Sequence, residues 1–537
     1  MNRTRTIITW ITFLATFGLL LIPDFRTGPV VLWPSIVAVG LAFVTRDIYL
    51  SLFLGAFAGA ILLRQGNPAT AFLDIFTKHL IPALKDPWNA SVLVFTLMMG
   101  GFVEVLNHSG GMTALAERLL GRAHTPRRAG MSAYVLGWII FFDGLANSLL
   151  VGKTMRPAAD RAGLSREKLS FIVDSTSSPI AGVALISTWV AYEMSVIRQG
   201  FENVGNPDLA ASVAPYQLLV QSLPFRFYNW FCLLLVFLAI WLGRDIGPMI
   251  AAERRARAAN ISSSIPQEVN RNTGRIWLAL VPLLILIVGV FGGLFVQGGG
   301  LDHPLTIATM IDAFGKADAA TVFVCATAFA SVVAMAAGAR FPAADKNSGV
   351  IAAFFDGMKQ MFLPTLILVF AWVLNGVIRE MGTAAYLVSL LYNTVSPGWL
   401  PALVFTVAAL ISFSTGTSWG TMAIVMPLII PVAVKLTGMT PASGAGTVVI
   451  VTIGAVLAGA VFGDHCSPIS DTTIVSAFSS DCGAMEHVRT QMPYALCAAG
   501  VALLIGYAPA GWNVSPWLLL PLGAIACWAL IRYCGRK

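Results

Sequence analysis

The sequence predicts an all-α membrane protein with many spans, on the basis of its composition, its recurring long apolar windows and the placement of its basic residues. Apolar residues make up 57% of the 537 positions and charged residues only 11%, and the mean hydropathy is +0.78. Because a soluble protein carries about a quarter charged residues, the chain is an integral membrane protein. The net charge of +8 comes from basic loops between spans and does not indicate nucleic-acid binding.

Apolar windows of about 20 residues, the length that crosses ~30 Å of hydrocarbon, recur about twelve times. They lie near 6–22, 29–45, 47–64, 88–107, 170–197, 227–243, 276–297, 319–338, 362–381, 446–463, 492–510 and 514–531. No small-residue cleavage site follows the first window, so we expect an uncleaved first span and no signal peptide. The seven cysteines are scattered and odd in number, which disfavours a disulfide framework.

Two further apolar stretches, 129–160 and 399–436, are interrupted in the middle by polar and glycine-rich sequence. The interruptions read DGLANS (143–148) and STGTSWG (414–420). If the first stretch crossed the membrane, the basic segments on its two sides would lie on opposite faces. Since Lys and Arg concentrate in cytoplasmic loops, the sequence predicts two re-entrant hairpins and cytoplasmic N- and C-termini.

Four short motifs recur in the same order at an offset of about 270–290 residues. The pairs are FLDIFTKHL (72–80) with FFDGMKQMF (354–362), LVFTLMMGG (93–101) with LVFAWVLNG (368–376), NSLLVGKTMRP (147–157) with TSWGTMAIVMP (417–427), and SSPI (177–180) with CSPI (466–469). The first unit begins on the cytoplasmic side and the second on the outer side, so the repeat is inverted. Inverted repeats are typical of secondary transporters.

The repeat divides the chain into five parts. They are N-terminal spans at 1–45, a first inverted repeat at 46–243 with hairpin 129–160 and broken helix 170–197, a basic cytoplasmic linker at 244–275, a second inverted repeat at 276–491 with hairpin 399–436 and broken helix 446–478, and C-terminal spans at 492–537.

In each repeat, a Ser-Pro pair with aspartate nearby follows the hairpin, in DSTSSPIAG (174–182) and GDHCSPISD (463–471). Proline removes a backbone donor and disfavours helical geometry in the residue before it, so each helix is expected to break there. The broken ends, with hydroxyls and a carboxylate, suit a dehydrated cation or a carboxylate substrate. The candidate cation, proton or substrate ligands are Asp143, Asn147, Asp174, Ser178, Ser414, Thr415, Thr417, Ser418, Asp464, Ser467, Asp471 and Thr472.

Structural roles compete with these assignments. Asp464 and Asp471 are alternatively interfacial residues or helix caps, and Asp174 is alternatively a cytoplasmic cap. The Ser and Thr hydroxyls often only bond back to helix carbonyls. Glu104 and Glu193 lie near span ends, where we expect the side chain to reach the membrane interface. A channel would need a continuous polar pore and an enzyme a nucleophile or metal constellation, and the sequence indicates neither.

Three segments together resemble the NhaC-type sodium/proton antiporter family, within the wider ion transporter superfamily. They are FFDGLANSLLVGKTMRPAADRAGLSREKLSFIVDSTSSPIAG, SFSTGTSWGTMAIVMPL and AGAVFGDHCSPISDTT, and the resemblance covers about residues 30–510. It implies an elevator-like secondary transporter of a bacterial inner membrane that expels sodium in exchange for protons. It also implies a homodimer, no cofactor beyond the transported sodium and protons, and sodium bound at Asp464, Ser467 and Thr417.

One departure from the family pattern concerns the first hairpin. Members often carry a second acidic residue where this chain has Gly144 after Asp143, so one possible cation or proton ligand is missing. The same family includes exchangers of organic acids such as malate and lactate. Cation-coupled transport or exchange of a small carboxylate or amino acid is therefore the alternative function.

Overall fold

The computed structural model describes residues 28–112, 125–260, 275–302, 316–341, 349–391 and 394–536, apart from Arg46, Phe142 and Ile469, together with a few isolated positions. The described residues form helices joined by short connections, which confirms the predicted all-α membrane protein. Many helices begin at a side chain that accepts a backbone N–H of the first turn, the expected role of such residues. These capping residues include Asp47, Asn67, Asp86, Thr125, Ser165, Asn206, Asp318 and Thr417.

The described helices follow one another along the chain with few long gaps. Before residue 261 they are α1 (Trp33–Thr45), α2 (Ile48–Leu63), α3 (Pro68–Asp74), α4 (Ile81–Lys85), α5 (Pro87–His108), α6 (Pro126–Ile139), α7 (Gly144–Ala162), α8 (Arg166–Ser175), α9 (Ser178–Ala181), α10 (Val190–Glu202), α11 (Pro207–Ser212), α12 (Pro215–Ser222), α13 (Phe227–Leu242) and α14 (Met249–Asn260). After residue 274 they are α15 (Trp277–Gln297), α16 (Ala319–Arg340), α17 (Val350–Gln360), α18 (Phe362–Met381), α19 (Thr383–Leu391), α20 (Leu400–Thr415), α21 (Ser418–Thr437), α22 (Thr447–Cys466), α23 (Asp471–Ser479), α24 (Ala484–Val501), α25 (Ala508–Gly511) and α26 (Pro516–Ala529).

Within the described ranges, nine helical segments are long and apolar enough to cross a membrane, and two bent helix pairs raise the number to eleven. The predicted first span near 6–22 lies largely outside the described residues. The count of about twelve spans therefore stays a prediction.

Both predicted helix breaks are confirmed. The first lies between α8 and α9, next to Pro179, and the second lies between α22 and α23, around Pro468. Each break leaves backbone groups without a partner in a continuous helix, as expected where proline interrupts the pattern.

The two interrupted apolar stretches each fold into a pair of contacting helices, α6 with α7 and α20 with α21. Gly416 ends α20 with φ +68°, a left-handed conformation that glycine adopts without steric cost. This turn reverses the chain within two residues, because α21 begins at Ser418. The arms of the second pair are each long enough to span a membrane, so the re-entrant path stays a prediction.

Packing between the two halves of the chain is reciprocal. α7 contacts α23, which follows the second break, and α21 contacts α10, which follows the first break. α22 contacts both α20 and α21 and is buried along nearly its whole length. This arrangement brings the two breaks together and favours the predicted repeat, whose boundaries stay a prediction.

Glu193 does not reach the membrane interface, so the expectation for this residue is wrong. Its side chain is 1% exposed, and its two carboxylate oxygens accept hydrogen bonds of 3.0 and 2.9 Å from Arg226. The guanidinium is buried as well. Because the two charges neutralise each other, both side chains remain in the interior.

Candidate cation site

Asp464 lies in the last turn of α22 and is 2% exposed. Its Oδ2 accepts hydrogen bonds from Ser178 Oγ at 2.9 Å and from Ser418 Oγ at 3.3 Å, and its Oδ1 accepts one from Ser470 Oγ at 2.6 Å. The three serines come from the start of α9, the start of α21 and the break between α22 and α23. Elements distant in the chain therefore converge on one carboxylate.

Close packing of α20 on α22 positions this carboxylate. A Cβ atom at Gly463 would collide with the backbone nitrogen of Phe413, so only glycine fits before Asp464. One turn earlier, Ser412 Oγ donates a 2.6 Å hydrogen bond to the carbonyl oxygen of Ala460. The two helices thus approach at backbone distance, which carries Asp464 next to the turn that begins α21.

A cavity of about 330 Å³ lies beside Asp464. Asp143 also lines it, is 5% exposed and accepts a 3.1 Å hydrogen bond on Oδ2 from Thr188 Oγ1. The described lining residues are Tyr49, Asp143, Gly144, Leu145, Thr188, Trp189, Gln360, Met361, Leu363, Ile367, Thr417, Ser418, Trp419, Asp464 and Thr472. Two carboxylates and several hydroxyls therefore border a single space with aromatic and apolar walls.

The sequence profile of a family described as the Na+/H+ antiporter family matches residues 180–512, a range that contains Asp464, Ser418 and Ser470. The chain belongs to the Na+/H+ antiporter family. The antiporter family places it among membrane transporters that exchange a cation for protons, and not among enzymes. The inner-membrane location, the cytoplasmic termini and the homodimer stay predictions.

Relatives of this Na+/H+ antiporter family chain include an uncharacterized protein of Haemophilus influenzae, 30% identical over 500 residues, or 92% of each chain. The Na(+)/H(+) antiporter NhaC of Bacillus subtilis is 30% identical over 184 residues, 33% of this chain and 37% of that protein. The Alcanivorax borkumensis YdaH transporter, with 17% identity and a TM-score of 0.54, covers 85% of this chain, and the match covers 90% of that chain. The last comparison shows a shared fold.

In the antiporter chain, Asp174 belongs to a second polar cluster and does not line the cavity described above. Its Oδ2 accepts hydrogen bonds from Gln491 Nε2 at 2.7 Å, His487 Nε2 at 3.1 Å and Thr473 Oγ1 at 3.2 Å. Asp174, His487 and Gln491 are fully buried. The Thr473 hydroxyl also lies 3.0 Å from the backbone oxygen of Asp464, so one side chain joins the two clusters.

Asn147 uses its amide group to hold the backbone together. Its Nδ2 lies within hydrogen-bond distance of three carbonyl oxygens, those of Gly137, Ile140 and Thr176, at 2.8, 3.2 and 2.7 Å. These carbonyls belong to the end of α6 and to the first break. The geometry therefore gives Asn147 a positioning role between hairpin and break, away from the lining of the cavity.

The remaining predicted ligands divide into three groups. Ser414 and Thr415 donate to carbonyls one turn earlier in α20, the structural alternative noted for such hydroxyls. Thr417 and Thr472 line the cavity, and Ser467 is buried at the second break. Asp471 begins α23, and its side chain lies outside the described part of the structure.

Sequence reasoning missed several residues around the cavity and the second cluster. Ser470 lies inside the quoted GDHCSPISD segment, and Thr188 and Trp189 follow the first break in the sequence STWV. Trp419 lies in the quoted STGTSWG interruption. Polar and aromatic residues flanking a predicted break were the available signal. His487 gave no comparable signal, because it lies in another helix.

Proposed function

We propose that this chain expels sodium in exchange for protons across a bacterial inner membrane, with Asp464 as the shared binding group. The observation that carries the proposal is a buried carboxylate hydrogen-bonded by three serine hydroxyls where two helix breaks meet. A hydroxyl that donates to a carboxylate can rotate and offer a lone pair to a cation. Carboxylate, hydroxyl and carbonyl oxygens at broken helices suit sodium.

Competition for Asp464 couples the two ions. Sodium requires the ionised carboxylate, whereas a proton converts one oxygen into a donor that a neighbouring serine can accept. Occupancy by one ion therefore excludes the other. Moving a bare carboxylate through hydrocarbon costs at least ~2.5 kcal/mol, so the site crosses most readily when it is neutralised. An inward proton gradient then drives sodium outward without ATP.

Ser467 and Thr417 are proposed as further sodium ligands beside Asp464. Ser467 is fully buried at the end of α22, and Thr417 borders the cavity next to Ser418. Asp143 contributes a second negative charge to the same cavity, which raises the local concentration of cations. Its separation from Asp464 by cavity space suits a role in attracting or receiving the ion.

The alternative cargo is a small carboxylate or an amino acid. An anion of this kind is usually held by Arg or Lys, by backbone amides or by a helix N-terminus. None of the described residues that line the cavity is Lys, Arg or His, and two of them are aspartates. The charge of the lining therefore favours a cation over an organic anion.

The test is sodium-driven proton movement in liposomes that contain the purified protein and carry an acidic interior reported by a pH-sensitive dye. External sodium should dissipate the pH gradient in a saturable manner, and protein-free liposomes should show no such response. Malate, lactate and amino acids added without sodium form the comparison arm. If only an organic anion or amino acid produced flux, sodium/proton exchange would be abandoned.

A further inference from the structure

We propose that the cavity beside Asp464 also binds a small organic cation with an ammonium group, in competition with sodium. This inference deepens the proposed function because it uses the same carboxylate. It depends on three other features of the cavity: its volume, the charge of its lining and its aromatic walls.

The volume is too large for a bare ion. A water molecule occupies about 30 Å³ in the liquid, so a space of about 330 Å³ holds roughly ten waters. Pockets that bind small organic molecules have volumes of about 300–1,000 Å³. The cavity lies within this range, whereas sodium with its protein ligands would leave most of it to water.

The charge of the lining selects a cation. Asp143 and Asp464 both border the cavity, and the described lining residues include neither Lys nor Arg nor His. The other polar groups are mostly hydroxyls, from Thr188, Thr417, Ser418 and Thr472, which accept hydrogen bonds from an ammonium group as readily as they donate. An organic cation therefore finds both charge balance and hydrogen-bond acceptors here.

The walls supply the contacts that an organic cation needs and sodium does not. Trp189 and Trp419 border the cavity, with ring centroids 6.3 Å apart and planes at 81°. Tyr192 packs on Trp419 at 4.2 Å between centroids, and its hydroxyl donates to the backbone oxygen of Trp419, so this indole is held in place. Indole faces attract ammonium groups more strongly than other aromatic side chains do.

Apolar side chains complete the wall opposite the carboxylates' own helices. Met361, Leu363 and Ile367 come from α18 and the residue before it, and Tyr49 comes from α2. These groups have no function for a bare ion, but they match the short alkyl part of an amine. The geometry therefore points to a cation with a compact apolar body, of about choline size.

Choline is the probe, because its quaternary ammonium is charged at every pH and does not cross a lipid bilayer unaided. In liposomes containing the wild-type protein, choline should raise the half-saturating sodium concentration for proton flux and leave the maximal rate unchanged. Its neutral isostere 3,3-dimethylbutan-1-ol should have no effect. Equal inhibition by both compounds, or by neither, would overturn the proposal.

Two substitutions test the wall. Trp419→Leu should lower choline affinity relative to sodium affinity at least fivefold, as expected from losing a cation–π contact. Trp419→Phe, which keeps a ring, should give an intermediate ratio and serves if the leucine variant does not fold. Trp399→Leu is the matched control, because Trp399 is 55% exposed and does not line the cavity. Parallel loss of both affinities in the Trp419 variants would contradict the proposal.

Calorimetric titration of choline into purified protein in sodium-free buffer separates this inference from the proposed function. Choline binding that Asp464→Asn abolishes supports the inference even if the wild-type protein shows no sodium-driven proton flux. Sodium-driven flux without choline binding upholds the antiport proposal and overturns the inference.

Discussion

Ser178 Oγ lies 2.9 Å from Asp464 Oδ2, although the two residues are 286 positions apart in the chain. The contact joins the short helix after the first break to the helix before the second break. Both breaks therefore contribute to one site. A movement of either half of the molecule relative to the other changes the hydrogen bonds of the carboxylate, which provides a direct link between conformation and ion occupancy.

Ser178→Ala should weaken sodium binding and leave the fold intact. A hydrogen-bonding group on a charged partner contributes ~1.5–3 kcal/mol, so we expect the half-saturating sodium concentration to rise about tenfold. The measurement is the sodium dependence of proton flux in liposomes. Ser222→Ala is the matched control, because this buried hydroxyl bonds only back to a carbonyl of its own helix at 2.7 Å. Unchanged half-saturation in Ser178→Ala would remove Ser178 from the site.

Thr417 has two roles, which substitution can separate. It caps α21 by accepting a 3.3 Å hydrogen bond from Gly420 N, and it lines the cavity. Thr417→Val should cost ~1 kcal/mol of stability from the lost cap and also weaken sodium affinity. Thr417→Ser should restore both, since it keeps the hydroxyl. A valine variant with a lower melting temperature and wild-type sodium affinity would reduce Thr417 to a cap.

Asp174 is predicted to matter more for stability than for ion binding, since it is fully buried and outside the cavity lining. Asp174→Asn turns an acceptor toward donors from Gln491 and His487, and buried polar groups without partners cost ~1–3 kcal/mol each. The melting temperature in detergent should fall by several degrees, and by more than in Asp208→Asn at an exposed position. A wild-type melting temperature with lost sodium response would instead make Asp174 a ligand.

The Glu193–Arg226 pair should be stabilising only as a pair. Glu193→Gln leaves a buried guanidinium without its counter-charge, a change that costs ~3–5 kcal/mol, so little intact protein should be recovered from the membrane. Replacing both residues with methionine should restore much of the yield, because an apolar pair avoids the unpaired charge. Gel filtration of the extracted protein measures both. Full recovery of the single variant would contradict this account.

The sequence predicted the features that depend on local rules. Pro179 and Pro468 marked both helix breaks, because proline excludes helical hydrogen bonding wherever it occurs. The same rule identified Asp464 and Ser467 as residues at a break. The length of the apolar windows likewise predicted the membrane spans.

Features that depend on tertiary packing were not predictable in the same way. The Glu193–Arg226 pair joins residues 33 positions apart on different elements, and nothing near Glu193 in the sequence signals its partner. Ser470 reaches Asp464 only because the chain turns back after α22. Asn147 was a candidate ligand by composition, whereas its three carbonyl contacts follow from how the hairpin lies against the first break.

Asp464→Asn tests the central claim most directly, because the amide keeps the size and much of the hydrogen bonding of the carboxylate but cannot exchange a proton for a cation. The measurement is sodium-induced collapse of an acidic-inside pH gradient in liposomes, across a range of pH, with Asp208→Asn as the exposed control. We predict that Asp464→Asn reaches the membrane in near wild-type amount and gives no collapse above protein-free liposomes. Collapse at the wild-type rate and with the wild-type pH dependence would contradict the account.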